Sequence, residues 1–266
     1  MMADRQEFLI VDAIHSDGQL MPLEEKRYKL EFIGDSITSG EGLAGAKGIT
    51  EWNCAIFSTL GHYAVTTADR LDADYRIISQ SGWGVCSSWD NDPGRVLPKY
   101  YEQVCGLLSG KTQLEAGAGD KNDFTSWQPD AVLVNLGTND AFAFHSKAWV
   151  DEGTGETFEQ KLNPDGSYEA ESLARFEDAV YNFLVVLRRD NPHAHIVWLY
   201  GMIGRTMEAY ILDALNRYRA EHCDDKVSYL QLPDLKTEWM GANSHPGVMS
   251  HQAAADVLTE YLREIL

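Results

Sequence analysis

The stretch that most constrains this chain is "DAVLVNLGTND", residues 130 to 140. Ala131, Val132, Leu133 and Val134 follow one another without polar interruption. A strand with one wet face alternates apolar and polar side chains, so an unbroken run implies cover on both faces. Four further segments read as strands: "YKLEFIGD" (28–35), "DYRIISQSG" (74–82), "HIVWLYG" (195–201) and "KVSYLQL" (226–232). Helical spacing fills the gaps. It is found in "CAIFSTLGHYAVTTADRL" (54–71), "VLPKYYEQVCGLL" (96–108), "MEAYILDALNRYRAEH" (207–222) and "HQAAADVLTEYLREIL" (251–266). The longest case, residues 169–192, is stopped by Asn191-Pro192, because the residue before a proline disfavours helix. Strands alternating with helices imply a parallel sheet covered on both faces. The expected fold is a three-layer α/β/α sandwich around a parallel sheet of about five strands.

The length, 266 residues, suits one large α/β domain over residues 28–266. Residues 1–27 fit the pattern less well. "EFLIVDAI" (7–14) is strand-like, "HSDG" turns, and "QLMPLEEKR" links to the first sheet strand. The expectation is an N-terminal strand and linker, an added edge or the remnant of a neighbouring domain.

Charge narrows the partners. Lys and Arg number 22 against 41 Asp and Glu, a net charge of −19. Such a chain is repelled by nucleic acid and by anionic membranes. No apolar stretch is long enough to span a bilayer. Cys54, Cys86, Cys105 and Cys223 form no CxxC pair and no cluster with histidine, so neither a metal nor a cofactor is expected. The opening residues lack a basic segment followed by a long apolar run. A cytoplasmic protein with reduced thiols is the expectation, although a piece of a secreted enzyme would look the same. Oligomeric state is not readable from the sequence.

Open parallel sheets gather ligands at the carboxyl ends of their strands. The first strand ends in Gly34-Asp35-Ser36, the second in Ser81-Gly82-Trp83-Gly84, and the third in Gly137-Thr138-Asn139-Asp140. After the last strand comes Asn243-Ser244-His245-Pro246. A serine hydroxyl attacks only if a base takes its proton, and histidine suits that task near neutral pH. The oxyanion that forms needs donors already in place. A glycine N–H can approach closely, and an asparagine amide supplies a second donor. Each residue has a plainer reading: Ser36 as a helix cap, Gly82 as a turn, Asn139 as a cap. Together they make a complete set for ester hydrolysis.

These residues carry a resemblance. "GDSIT" (34–38), "SGWG" (81–84), "GTND" (137–140) and "SHP" (244–246) stand in the order found in the SGNH (GDSL-type) hydrolases. The resemblance implies a flavodoxin-like fold, with residues 28–266 as the hydrolase domain. It implies Ser36 as nucleophile, His245 as base, and an oxyanion hole from the Ser36 and Gly82 amides and the Asn139 side chain. "RYKLEFIGDSITSGEG" (27–42) and the strand and linker before it look like carbohydrate esterase family 2. Those enzymes carry a small β-sandwich ahead of the hydrolase domain, and they remove acetyl groups from plant polysaccharides. The expected function is therefore a serine esterase acting on O-acetyl groups of a neutral carbohydrate. A lipid-type acyl esterase or thioesterase is the alternative. A flavodoxin-like module that binds phosphate or flavin through "DSITSG" is a third reading, and it leaves Asn139 and His245 unexplained.

The pattern departs from the family at one point. Many members have an aspartate three residues before the histidine, where this chain has Ala242. The group that orients His245 is expected to be a backbone carbonyl, the Asn243 side chain, or an acid from elsewhere such as Glu238. Asp35 is expected to hold its turn by local hydrogen bonds. Of the aromatic residues near the motifs, Trp239 and Trp83 are expected to offer a platform to a sugar ring. Trp89, Phe142 and Phe144 are read as packing at least as readily.

Overall fold

The computed structural model describes residues 10–266. Its central sheet contains β1 (Tyr28–Gly34), β2 (Ala73–Ser79), β3 (Ala131–Asn135), β6 (His195–Met202) and β7 (Val227–Asp234). All are parallel, in the order β2-β1-β3-β6-β7. A two-stranded hairpin, β4 (Trp149–Val150) with β5 (Thr157–Phe158), stands apart and was not anticipated. The helices are α1 (Tyr63–Leu71), α2 (Lys111–Glu115), α3 (Thr138–Ala143), α4 (Ala170–Asp190), α5 (Glu208–His222) and α6 (Val248–Ile265).

The sheet is buried on both sides, as the apolar run in β3 requires. Val132, Val134, Ile33, Ile196 and Trp198 face α4 and α5. Leu30, Phe32, Leu133, Val197 and Leu199 face α1 and α6. Helix α4 presents Phe176, Val180, Phe183, Leu184 and Leu187, a stripe at helical spacing that turns one side to the core. Burying each such side chain stabilises the fold by about 1.5–3 kcal/mol.

Three expectations need correction. Residues 96–108 form no helix beyond a single turn at Leu97–Lys99. Their backbone is taken by a distant segment instead: Val104 N–H donates to Asp120, Cys105 N–H to Ala118, and Asn122 N–H to Glu102, at 2.8–2.9 Å. The helix expected over 54–71 splits into a turn at Cys54–Ile56 and α1, which begins only at Tyr63. Between them Ser58 N–H is drawn to the carbonyl of Gly40 (3.2 Å), and His62 caps α1 by accepting from Ala64 N–H. Third, residues 10–14 make no strand. A strand needs a partner ladder, and Ile10, Val11 and Ile14 are exposed instead. The beginning of that expected strand, residues 7–9, lies outside the described residues.

Two buried histidines join the elements that carry the functional loops. His62 Nε2 lies 3.1 Å from the carbonyl of Ile37, one residue beyond Ser36. His251, in the first turn of α6, accepts from Tyr63 N–H through Nδ1 (3.2 Å). The two rings stand 4.9 Å apart. Burial pushes His62 down to about 4, and burial together with the neighbouring histidines pushes His251 down to about 3. Both are therefore neutral in the folded protein near pH 7. A histidine with a depressed folded value contributes stability above its unfolded value, near 6.5, and that contribution is lost as pH falls. The stability difference between wild type and His251→Gln should thus shrink as pH drops from about 6.5 toward 4. Its slope should reach at most about 1.4 kcal/mol per pH unit. Urea unfolding of both proteins across that range checks it, and a constant difference would contradict it.

Candidate active site

The parallel register sets the position of the site. Gly34 of β1 pairs with Ser79 of β2 on one side and Asn135 of β3 on the other. Three strands therefore end level. Ser36, the pair Ser81-Gly82, and Asn139 at the start of α3 follow within a few residues. His245 comes from the loop between β7 and α6 and meets them. All four sequence-derived residues line one cavity of about 630 Å³.

Ser36 Oγ lies 2.8 Å from His245 Nε2. On the far side of the ring, Nδ1 lies 2.7 Å from the backbone carbonyl of Asn243. A carbonyl only accepts, so Nδ1 carries the hydrogen and Nε2 is left with its lone pair toward the serine. No acid therefore hydrogen-bonds Nδ1 in place of the aspartate absent at Ala242. The first of the three expected orienting groups is the one found. Glu238 is exposed on a short turn and is not brought to the ring. The Asn243 side chain is turned elsewhere: its Nδ2 donates to Glu41 Oε1 (2.8 Å).

Backbone conformation makes this carbonyl available. Asn243 and Ser244 are both left-handed, at φ 49° and 56°, a region that asparagine tolerates better than most residues. The loop is fixed by Ala242 N–H to the carbonyl of Gly42 (3.0 Å) and Asn243 N–H to that of Ile49 (2.6 Å). Gly42 permits the approach. Its φ is +83°, and a Cβ there would lie 2.6 Å from His245 Cβ and 2.6 Å from the Ala242 carbonyl.

Glu41 is a residue that the motif reading missed. It is 2% exposed, lines the cavity, and holds Oε1 3.7 Å from His245 Nδ1. Ser81 Oγ donates to its other oxygen (2.8 Å). It stands inside "DSITSGEG", where an acid among small turn residues was the available signal.

Asp35 holds the turn as expected: Oδ1 accepts from Ile37 N–H at 3.0 Å. Oδ2 accepts from Asn139 Nδ2 (3.1 Å), and the same amide donates to the Trp83 carbonyl (2.8 Å). Asn139 is thus in place, with its amide hydrogens shared with these two acceptors. Next to it, Asp140 gathers the N–H groups of Val85, Cys86 and Ser87 at 2.7–3.1 Å and so shapes the loop that follows Gly82. Gly82 itself has φ +81°, a turn geometry that a side chain would oppose. Burial pushes the Asp35 carboxyl up to about 7 and that of Asp140 up to about 6, against the hydrogen bonds that favour ionisation.

The aromatic expectations are corrected. Trp83 is 2% exposed and packs beside Tyr100, so it contributes its carbonyl and not its ring. Trp239 lies under Lys236, whose Nζ is 3.8 Å from the ring centre, and it does not line the cavity. The aromatic side chains that do line it are Trp52, Trp89 and Phe142, all substantially exposed. No group of three His, Cys, Asp or Glu among the described residues is arranged to hold a metal. No helix among them is long and apolar enough to cross a membrane.

Comparison with known proteins gives the following. The family model of GDSL-like Lipase/Acylhydrolase matches residues 30–258. The acetyl xylan esterase Est2A from the rumen bacterium Butyrivibrio proteoclasticus superposes with a TM-score of 0.91 at 44% identity, covering 94% of this chain and 66% of its own. A family two carbohydrate esterase from Clostridium thermocellum, solved with cellohexaose, gives a TM-score of 0.73 at 25% identity, covering 92% of this chain and 66% of its own. An acetylxylan esterase / glucomannan deacetylase from Cellvibrio japonicus is 26% identical over 245 residues, 90% of this chain and 57% of that protein. The chain spans between 26% and 57% of the length of the curated relatives it matches.

The close approach at Gly42 gives a direct test of the loop geometry. Gly42→Ala should destabilise the protein by about 1–3 kcal/mol, because the new methyl meets the His245 loop and the backbone is left-handed. Urea denaturation measures this, and an unchanged midpoint would show that the loop yields freely.

Proposed function

Because this chain belongs to the GDSL-like lipase/acylhydrolase family, we propose that it is a serine esterase that removes O-acetyl groups from a neutral carbohydrate. One observation carries the reading: His245 bridges the Ser36 hydroxyl at 2.8 Å and the Asn243 carbonyl at 2.7 Å. That arrangement fixes the tautomer in which Nε2 takes the serine proton.

In this reading Ser36 Oγ attacks the acetyl carbonyl carbon while its proton passes to His245. The Ser36 and Gly82 N–H groups and the Asn139 amide meet the oxyanion. Asn139 does so at the expense of its bond to Asp35. The sugar oxygen leaves with the proton from His245, and an acetyl group remains on Ser36. Water then attacks this ester, giving a proton to His245, which passes it to Ser36 Oγ as the acyl bond breaks; acetic acid departs and ionises in solution, and the resting Ser36–His245 pair is restored. No cofactor takes part.

The relatives whose names specify acetylated xylan or glucomannan favour a plant polysaccharide or its fragments as substrate. The cavity supports it: Trp52, Trp89 and Phe142 offer flat apolar faces on which a sugar ring can stack. The net charge of −19 also suits a neutral substrate.

Ser36→Ala should lower the hydrolysis of a chromogenic acetyl ester by on the order of a thousandfold or more with the fold retained. Near-wild-type turnover in that variant would remove the central claim. Chain length provides a second check. Acetyl esters should turn over roughly tenfold or more faster than octanoyl esters, since each misfit methylene in a shaped site costs rate. Faster cleavage of the longer chain would favour a lipid-type acyl ester instead.

A further inference from the structure

A ring held by a carbonyl has its orientation fixed but meets no full negative charge. When Ser36 surrenders its proton, His245 becomes an imidazolium, and a neutral acceptor stabilises that cation less than a carboxylate would. The nearest carboxylate is that of Glu41, 3.7 Å from Nδ1 and 2% exposed. Its position is built. Oε1 receives the Asn243 amide and Oε2 the Ser81 hydroxyl, each at 2.8 Å. Its own N–H donates to the Ser36 carbonyl (3.0 Å). Both side-chain partners are donors, which is what an ionised acid requires.

We propose that Glu41 is the charge partner of His245: a positioning residue that supplies, from the turn after β1, the negative charge absent at Ala242. Asn243 then has two functions. Its carbonyl holds the ring, and its side chain holds the acid that faces the ring. Opposite charges at such a distance, away from bulk water, attract far more strongly than on an exposed surface. Other groups around the ring do not fill this part. Asp35 lies beneath Ser36 and is engaged with Ile37 and Asn139. His62 and His251, behind the loop, have folded values near 4 and 3 and stay neutral. His145 stands elsewhere on the cavity wall. The inference rests on the Ser36–His245 reading of the site.

The test reads the ring directly. The His245 imidazole is titrated by nitrogen-edited NMR in the resting enzyme, with its signals assigned by their loss in His245→Gln. Glu41→Gln keeps the shape and an acceptor for Asn243 but removes the charge. Its His245 midpoint should fall by about one pH unit. Turnover of an acetyl ester should drop roughly tenfold or more with KM unchanged. Asn243→Gly keeps the carbonyl and suits the left-handed backbone, and although it removes one donor it leaves the carboxylate anchored by Ser81 Oγ and by the Glu41 N–H bond to the Ser36 carbonyl. It should not lower the midpoint. If Glu41→Gln does not fold, Glu41→Asp, which withdraws the charge by one methylene, should shift the midpoint in the same downward direction. A midpoint unmoved by the Glu41 change overturns the proposal. So does an equal downward shift in Asn243→Gly, which would trace the effect to loop geometry. No substrate enters this titration. A shifted midpoint in a protein without acetyl esterase activity would sink the proposed function and leave the charge pair standing. An unmoved midpoint in an active enzyme would do the reverse.

Discussion

The ladder that β1 makes with both neighbours is the constraint on which the site depends. Gly34 is paired across to Ser79 and to Asn135, so the last residue of the strand is pinned from two sides. Ser36 follows two residues later with little freedom left. A slip of one residue in a strand turns every side chain to the opposite face. Here it would exchange the residues facing α4 and α5 with those facing α1 and α6. The hydrophobic pattern that buries the sheet is therefore also what aligns the three strand ends. The geometry of the candidate site is inherited from core packing rather than built separately.

Much of this was legible in the chain. The unbroken run of β3 implied two covered faces, and two covered faces they are. Ser36, Gly82, Asn139 and His245 could be picked out because each follows a strand, and the cavity brings them together. What escaped has physical reasons. The segment 96–108 has helical spacing, but spacing says nothing about a competing partner, and residues 118–122 took its backbone groups. Trp83 stood beside a motif glycine, yet its ring belongs to the core. Trp239 shares a loop with His245, but sharing a loop does not fix the direction of a side chain. Trp52 and Trp89 reach the cavity from segments without regular structure, where no periodicity exists to read. Glu41 escaped for another reason. A single acid among small turn residues is a faint signal, and its meaning comes only from Asn243, some two hundred positions away.

The interior of the site is unusually acidic. Asp35, Glu41 and Asp140 are each nearly inaccessible to solvent. They are tolerated because almost every oxygen meets a donor: backbone N–H groups for Asp140, an amide and a hydroxyl for Glu41, and both kinds for Asp35. Buried polar groups that are fully hydrogen-bonded stiffen their surroundings, while a half-bonded set destabilises them. The loops at the rim contain little regular structure, and these carboxyls do for them what ladders do for the sheet.

One more consequence follows from the Asn243 carbonyl. Every amino acid has a backbone oxygen, so no codon change at position 243 can delete the acceptor that orients the ring. An aspartate in that role is lost by one nucleotide substitution. A carbonyl is lost only when the chain around it changes course. As far as the orientation of the ring is concerned, sequence drift can therefore pass through position 243 more freely than through a triad acid, provided the left-handed bend survives; the side-chain bond to Glu41 is a separate constraint. Heritable sensitivity moves from the chemistry of one side chain to the curvature of a loop.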